Sequence, residues 1–105
     1  MPIFYIWLDD ERPIKVPKVV YDTGGTAWSA RNYDQCIRGI DLAVKYRDEI
    51  WIDFDHDLGY GNTGYDVAKY LVENNITAFY RVHSMNPVGR KNIEQLLNHY
   101  GYEKF

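Results

Sequence analysis

The chain of 105 residues is long enough for one domain whose hydrophobic core needs no disulfide support. Hydrophobic residues make up 46% of the sequence, which excludes a disordered chain and predicts a folded one. The net charge of -3 argues against a general nucleic-acid surface, which needs a basic stripe, but it leaves a phosphate ligand open because a bound metal reverses the local charge.

The first predicted element is a buried strand at residues 3–8, a compact apolar run. Asp9, Asp10 and Glu11 follow it directly. In an open α/β sheet, ligands bind at the carboxyl ends of the strands. A strand that ends in carboxylates therefore predicts a polar site, provided that a second strand brings matching groups to the same end.

Residues 12–25 carry a weaker signal than the rest of the chain. Pro13, Pro17 and the pair Gly24–Gly25 break any helix in this segment. We therefore predict an ordered loop here, with a short edge strand at residues 19–21 as the alternative.

A strand at residues 26–31 and a helix are predicted next, because Asn32-x-x-Gln35 resembles a capping box and apolar residues then keep helical spacing through Val44. Cys36 falls on the apolar stripe, which indicates a core position rather than a nucleophile. As the one cysteine it permits no intrachain disulfide, so we expect a cytoplasmic, reducing location. We find no signal peptide and no membrane-length apolar run, and expect no membrane association.

The third predicted strand, residues 50–54, runs directly into the densest polar cluster of the chain. Asp53, Asp55 and Asp57 alternate, so they lean to one side if the backbone stays extended, and His56 lies among them. Two unit charges about 4 Å apart repel by roughly 4 kcal/mol at an effective dielectric near 20. Such a cluster needs a divalent cation, a bound proton or cationic side chains to compensate it.

The remaining elements complete an alternating pattern of strands and helices. A turn at residues 59–62 precedes a helix that begins with the capping signature Thr63-x-x-Asp66. A fourth strand, residues 78–82, ends in His83–Ser84, and Asn86–Pro87 begins the last helix. The order β, loop, β, α, β, α, β, α predicts a small parallel α/β structure.

Four motifs together resemble the receiver (CheY-like) superfamily and, more closely, its divergent branch of cyclic-phosphate-processing receiver domains. They are Leu8–Pro13, Asp55–Gly59, Thr63–Ala68 and His83–Arg90, and they span essentially the whole chain. Each motif alone is weak, but four in order with consistent spacing are specific. The resemblance implies a single domain over residues 1–105 with a flavodoxin-like parallel sheet of four strands, order 2-1-3-4. It also implies that the receiver's first helix is lost, together with its fifth strand and the phosphate-binding lysine on that strand.

The resemblance further implies hydrolysis of cyclic or terminal phosphates rather than phosphorelay signalling. The candidate residues are Asp55, His56 and His83 for catalysis, Ser84, Asn86 and Arg90 for substrate binding, and Asp9, Asp10, Asp55 and Asp57 as metal ligands. Hard carboxylate oxygens favour Mg²⁺ or Mn²⁺. The expected partner is a small phosphate-containing ligand, either a cyclic nucleotide or an RNA 2′,3′-cyclic phosphate end.

The residues leave two other functions open. The first is a phosphate-binding module or phosphorylatable receiver without turnover; the missing lysine and the two histidines favour hydrolysis over it. The second is a haloacid-dehalogenase-like phosphatase with Asp53-x-Asp55 as its nucleophile pair; His56 and the lack of an obvious later lysine and acidic pair count against it. Within the hydrolase hypothesis, direct attack by Asp55 and attack by an activated water with a histidine managing the proton both stay open.

Overall fold

The computed structural model of the protein describes residues 1–59 and 61–105 as strands that alternate with helices. Tyr60, which falls in the turn predicted at residues 59–62, lies outside the described residues. No helix in the described ranges is both long enough and apolar enough to cross a membrane. The elements, in chain order, are β1 (Ile3–Leu8), α1 (Lys18–Asp22), β2 (Thr26–Ala30), α2 (Tyr33–Tyr46), β3 (Glu49–Phe54), α3 (Gly64–Glu73), β4 (Phe79–Val82), α4 (Pro87–His99) and β5 (Glu103–Lys104).

In the described part of the chain these strands form one parallel sheet of five strands in the order β2-β1-β3-β4-β5. The predicted order 2-1-3-4 is therefore confirmed for the first four strands. Leu8 is in register with Phe54, and Phe54 with Val82, so β1, β3 and β4 end side by side. The residues that follow these three strands consequently meet at one edge of the sheet.

The structure corrects the prediction in two short elements. β5, predicted to be absent, is a strand of two charged residues, too short to give a sequence pattern. The segment 12–25 is neither a loop throughout nor an edge strand, since it contains the five-residue helix α1, so the expected loss of a helix between the first two strands is also corrected. Pro17 lies at the N-cap and Gly24 follows the helix with a φ of 68°, so these helix breakers, like Pro13 and Gly25, lie outside the helix.

The lysine of β5 does not reach the carboxyl edge of the sheet. Lys104 is in register with Tyr80, two residues before the end of β4. Its Nζ atom lies 2.7 Å from Oε2 of Glu94 on α4. The phosphate-binding lysine of ordinary receivers therefore has no counterpart in Lys104, although a fifth strand is present.

The two faces of the sheet are covered unequally. α2, α3 and α4 cover one face and enclose the larger apolar core, which includes Ile6, Ile52 and Phe54. The opposite face carries a smaller cluster that comprises Ile3, Tyr5, Trp7 and Val20, the last from α1. Alternate residues of a strand point to opposite faces, so Asp53, which is in register with Trp7, lies on this thinner face. Charged groups of the sheet thus collect where its cover is smallest.

The predicted helix starts are confirmed, with one difference in detail. Thr63 and Asp66 form a reciprocal capping box, and Asn86 accepts a hydrogen bond from the N–H of Gly89 before Pro87 opens α4. Asn32 caps α2 in the expected way. The side chain of Gln35, however, accepts from the N–H of Arg31 rather than from that of Asn32, so this cap is not a reciprocal box.

Candidate active site

Three side chains from three adjacent strand ends meet at the carboxyl edge of the sheet. Asp9 follows β1, Asp55 follows β3 and His83 follows β4. One ligand atom from each lies within 4.8 Å of the others. The parallel ladder continues past the strand ends, since the N–H of Asp55 donates to the carbonyl of Leu8 and the N–H of His83 donates to the carbonyl of Phe54, both at 2.9 Å. The sheet itself therefore positions this cluster.

Both oxygens of Asp9 are engaged in hydrogen bonds. Oδ1 accepts from the backbone N–H groups of Glu11 and Arg12, each at 2.8 Å. Oδ2 lies 3.1 Å from Arg12 Nε and 2.9 Å from His83 Nε2. Burial raises the pKa of Asp9, but these backbone donors and His83 outweigh it, so the pKa lies below its usual value. Asp9 is therefore a buried, ionised carboxylate.

Asp55 differs from Asp9 because its burial is not fully compensated. Burial and then the charge of Asp9 raise the pKa of Asp55, and His83, Ser84 and Arg12 oppose this rise without cancelling it. Of the carboxylates Asp9 and Asp55, Asp55 is thus the one whose ionised form is less stabilised by its surroundings. This is the carboxylate for which an added cation or proton brings the largest relief.

His83 is held between two carboxylates and against a tryptophan. Its Nδ1 lies 2.7 Å from Asp53 Oδ1, and its Nε2 lies 2.9 Å from Asp9 Oδ2. The ring stacks on Trp7, with centroids 4.1 Å apart and planes at 2°. Ionised carboxylates only accept hydrogen bonds, so both ring nitrogens carry protons. Burial lowers the pKa of His83, but Asp53 and then Asp9 raise it more, and the net shift is upward.

Asp53 and Arg12 belong to this site, although neither is among the residues that the sequence assigns to it. Asp53 is 1% exposed and also accepts hydrogen bonds from Tyr5 and Arg81. A signal for the pairing of Asp53 with Arg81 was present in the sequence. These two residues of opposite charge lie in neighbouring strands that are otherwise apolar, and a buried charge needs a partner. Asp53 is thereby taken up as an ion-pair partner, which does not match the free nucleophile pair of the dehalogenase-like alternative.

His56, Asp57 and Asn86 form a separate group at the start of α4. His56 Nδ1 lies 2.9 Å from Asp57 Oδ1, and the Nδ2 atom of Asn86 lies 3.3 Å and 3.4 Å from the two oxygens of Asp57. The side chain of Asp57 is 62% exposed. Hydrogen bonds from His56 lower the pKa of Asp57, with a smaller contribution from Asn86. The structure therefore places these three predicted residues beside the cluster of Asp9, Asp55 and His83 and not within it.

The other predicted residues occupy three different positions. Ser84 is buried, and its Oγ accepts from the N–H of Asn86. The half-buried Asp10 lies near the loop after β3, since its Oδ2 is 3.5 Å from the position of a Cβ at Gly59. Arg90, on the first turn of α4, has its Nε 3.6 Å from Glu94 Oε1. Of these, Ser84 acts on the cluster, because its side chain lowers the pKa of Asp55 and so opposes the effect of burial.

The donor set fits Mg²⁺ or Mn²⁺ through oxygen atoms. Mg²⁺ is commonly bound by one or two carboxylates together with water and phosphate oxygens. Asp9 and Asp55 supply two such carboxylates. His83 is the third side chain of this group, and it would ligate a metal ion only after one of its ring nitrogens lost its proton. Asp10 and Asp57 are not part of any group of neighbouring metal-ligating atoms found in residues 1–59 and 61–105.

Cavity volume does not identify the candidate site. A cavity of about 350 Å³ lies at the opposite edge of the sheet, where residues 75–79 and 100–103 line it. That edge carries the amino ends of the strands, whereas ligands of open parallel sheets bind at the carboxyl ends. The chemistry of the cluster, rather than cavity volume, defines the candidate site.

The network around His83 predicts a specific pH dependence of stability in the presence of EDTA. The pKa of His83 is raised in the folded state, so its contribution to stability is complete below the unfolded value of about 6.5 and is lost as the pH rises through the folded pKa. We expect the free energy of unfolding, measured by urea titration, to fall over the range that begins near the unfolded value of about pH 6.5 and extends upward from it. In His83→Gln this fall should disappear. A wild-type stability that is constant or rises over this range would contradict the assignment.

The parallel α/β sheet with acidic residues at its carboxyl edge is the arrangement expected of a receiver-like domain. The sequence model of the family described as "Cyclic-phosphate processing Receiver domain" matches residues 4–99, from β1 through α4. The chain belongs to this family and is a receiver domain tied to cyclic-phosphate processing. No curated protein and no solved structure matches the chain.

Proposed function

We propose that this domain is a metal-dependent phosphoesterase that hydrolyses a cyclic phosphate. The substrate class is a cyclic phosphodiester, carried by a cyclic nucleotide or by the 2′,3′-cyclic end of an RNA. The observation that carries the proposal is the meeting of Asp9, Asp55 and His83 at three adjacent strand ends, in a chain whose family is tied to cyclic-phosphate processing.

Asp9 and Asp55 are the residues that would hold the metal ion. A bound Mg²⁺ or Mn²⁺ neutralises charge on phosphate oxygens and orients the attacking group. Asp9 is kept ionised by its donors, whereas the ionised form of Asp55 is less stabilised by its surroundings, so a cation would stabilise it most. The two carboxylates would therefore bind the same metal ion although their charges are stabilised to different extents. The metal-binding hypothesis depends chiefly on Asp55.

His83 is the residue to which we assign proton transfer. Hydrolysis forms a bond from a water oxygen to phosphorus, directly or after attack by Asp55, and breaks one P–O ester bond of the ring, whose departing oxygen takes up a proton. His83 carries protons on both nitrogens, and its Nε2 faces the acidic cluster. General acid catalysis of this kind contributes roughly 10²–10⁴-fold to a rate.

Arg12 is the residue to which we assign phosphate binding, in place of the receiver lysine. Its guanidinium lies beside Asp9, and its Nη2 is 3.5 Å from the carbonyl oxygen of His83. The side chain is about half exposed, so a ligand can reach it. An arginine can donate hydrogen bonds to two phosphate oxygens at once, which suits the two non-bridging oxygens of a cyclic phosphodiester. Ser84, Asn86 and Arg90 lie on the following loop and helix and remain candidates for further phosphate contacts.

The experiment that tests the proposal is a substrate screen with the metal as the variable. Purified protein is incubated with 2′,3′- and 3′,5′-cyclic nucleotides, cyclic dinucleotides and RNA that ends in a 2′,3′-cyclic phosphate, each with Mn²⁺, Mg²⁺ or EDTA. We expect a linear phosphomonoester or phosphodiester product with metal and none with EDTA. Stoichiometric capture of a ligand that is released intact on denaturation would instead establish the binding-module alternative.

A metal titration provides a second, activity-independent prediction. A cation at ten times its Kd stabilises the folded state by about 1.4 kcal/mol, which raises the melting temperature by several degrees. We expect millimolar Mn²⁺ to produce such a rise in the wild type and in Asp57→Asn, whose carboxylate lies outside the cluster. Asp55→Asn should lose the rise. If wild type and Asp55→Asn respond equally, the ion binds elsewhere and Asp55 is not its ligand.

A further inference from the structure

The hydrogen bonds of Asp53 suggest a role beyond ion pairing. We propose that Asp53 is a positioning residue that holds the imidazole of His83 in one orientation, with Nε2 turned toward Asp9 and the acidic cluster. The catalytic consequence of this role rests on the proposed function. The positioning itself is a structural property and can be measured without turnover.

The carboxylate of Asp53 is held so that one oxygen is left for His83. Oδ2 accepts three hydrogen bonds: from the hydroxyl of Tyr5 at 2.9 Å and from Nε and Nη2 of Arg81 at 3.0 and 2.9 Å. Oδ1 faces His83 Nδ1 at 2.7 Å. Arg81 is directly opposite Asp53 in the sheet, so this arrangement is set by strand register. Side chains of the two neighbouring strands therefore restrain the carboxyl group of Asp53 independently of its contact with His83.

The face of the His83 ring is restrained as well. Trp7 stacks on it with nearly parallel planes, and the indole is itself held by a hydrogen bond from Nε1 to the carbonyl of Arg12 at 3.1 Å. A ring flip would replace both nitrogens by carbons and break both hydrogen bonds to carboxylates. With Nδ1 engaged by Asp53, Nε2 is the nitrogen presented to the cluster. A carboxylate behind a functional imidazole commonly has this orienting effect.

A role confined to stability would predict a different response to mutation. The Tyr5 hydroxyl and the Arg81 guanidinium also hold Asp53, so loss of either should weaken the fold whether or not His83 acts in catalysis. Tyr5→Phe removes one hydrogen bond from Oδ2 and keeps the ring that packs in the core. It is the matched control for a purely structural contribution, because Arg81 still holds Oδ2 and Oδ1 still meets His83.

The test is Asp53→Asn, which keeps the shape of the side chain and replaces an acceptor by an amide. We expect kcat for the cyclic phosphate found in the screen to fall by roughly 10²–10⁴-fold, with KM changed less than about 3-fold, since an imidazole in the wrong orientation or tautomer loses chemistry rather than binding. Tyr5→Phe should lower the melting temperature and change kcat by less than about 10-fold. A kcat for Asp53→Asn within 3-fold of wild type would overturn the proposal.

A spectroscopic measurement separates this proposal from the proposed function. The ring-nitrogen ¹⁵N resonances of His83, assigned by their absence in His83→Gln, should change in Asp53→Asn and stay near their wild-type values in Tyr5→Phe. If the wild type hydrolyses nothing but the His83 resonances respond in this way, the proposed function fails and the positioning stands. If Asp53→Asn does not fold, Arg81→Gln provides the same measurement, because it removes two of the three hydrogen bonds to Oδ2 of Asp53, whereas Tyr5→Phe removes one. Unchanged resonances in the folded variant would overturn the positioning.

Discussion

Asp55→Asn and His83→Gln are each expected to lower the hydrolysis of a cyclic phosphate by roughly 10²–10⁴-fold, while both variants stay folded. Asp55→Asn removes the charge that a metal ion would neutralise, and His83→Gln removes the group that would protonate the departing oxygen. Initial rates under saturating Mn²⁺ measure both effects. Circular dichroism and melting curves of the same samples establish that the loss is chemical.

Glutamine, rather than alanine, is the replacement that isolates the chemistry of His83. His83 is partly buried between Asp9 and Asp53 and against Trp7. Alanine would leave two buried carboxylates without their shared partner, a defect of the kind that typically costs about 3–5 kcal/mol. Glutamine keeps a donor and much of the volume.

Asp57→Asn is the matched control for both variants. Asp57 lies two residues after Asp55 and is largely exposed. It contacts His56 and Asn86 instead of the cluster. Its activity should remain within about 3-fold of wild type. Equal losses in Asp57→Asn and Asp55→Asn would show that the acidic loop acts as a whole, and would contradict the distinction that the structure draws between these carboxylates.

Gly64→Ala is expected to destabilise the domain by about 1–3 kcal/mol and to reduce activity at the same time. A Cβ at Gly64 would overlap the backbone carbonyl of Asp55 and would also crowd the Cα of His56. The N–H of Gly64 donates to the carbonyl of His56 at 2.9 Å, so α3 begins in direct contact with the loop that presents Asp55. Neither obstacle is a side chain that can rotate away. Thermal melting should show a loss of roughly 4–8 °C per kcal/mol.

Gly89→Ala provides the comparison that tests this explanation. A Cβ at Gly89 would meet the imidazole of His56, which is a side chain and can change its rotamer. We therefore expect a smaller loss of melting temperature than for Gly64→Ala, and little change at Asp55. If Gly64→Ala melts at the wild-type temperature, the close approach of α3 to the loop after β3 is not required for the fold.

The order of elements and the acidic strand ends could be predicted because they depend on local properties of the chain. Apolar runs, capping residues and carboxylates at the ends of residues 3–8 and 50–54 are visible in the sequence. The rule that parallel strands share a carboxyl edge then brings Asp9, Asp55 and His83 together without knowledge of the coordinates. α1 and β5 were missed because five and two residues are too few to form a periodic pattern.

The sequence by itself determined the alternation of strands and helices, the core faces of the helices, and the edge of the sheet at which charged residues collect. Only the tertiary structure decided how those charges are paired. Asp53 meets Arg81 and His83 because of the register between β3 and β4, and Arg12 folds back onto Asp9 because two backbone N–H groups bind the same carboxylate. Local pattern sets which face of a strand a residue occupies. Register and loop geometry, which depend on contacts distant in sequence, decide which carboxylates have their pKa lowered by cations and which one, Asp55, has its pKa raised.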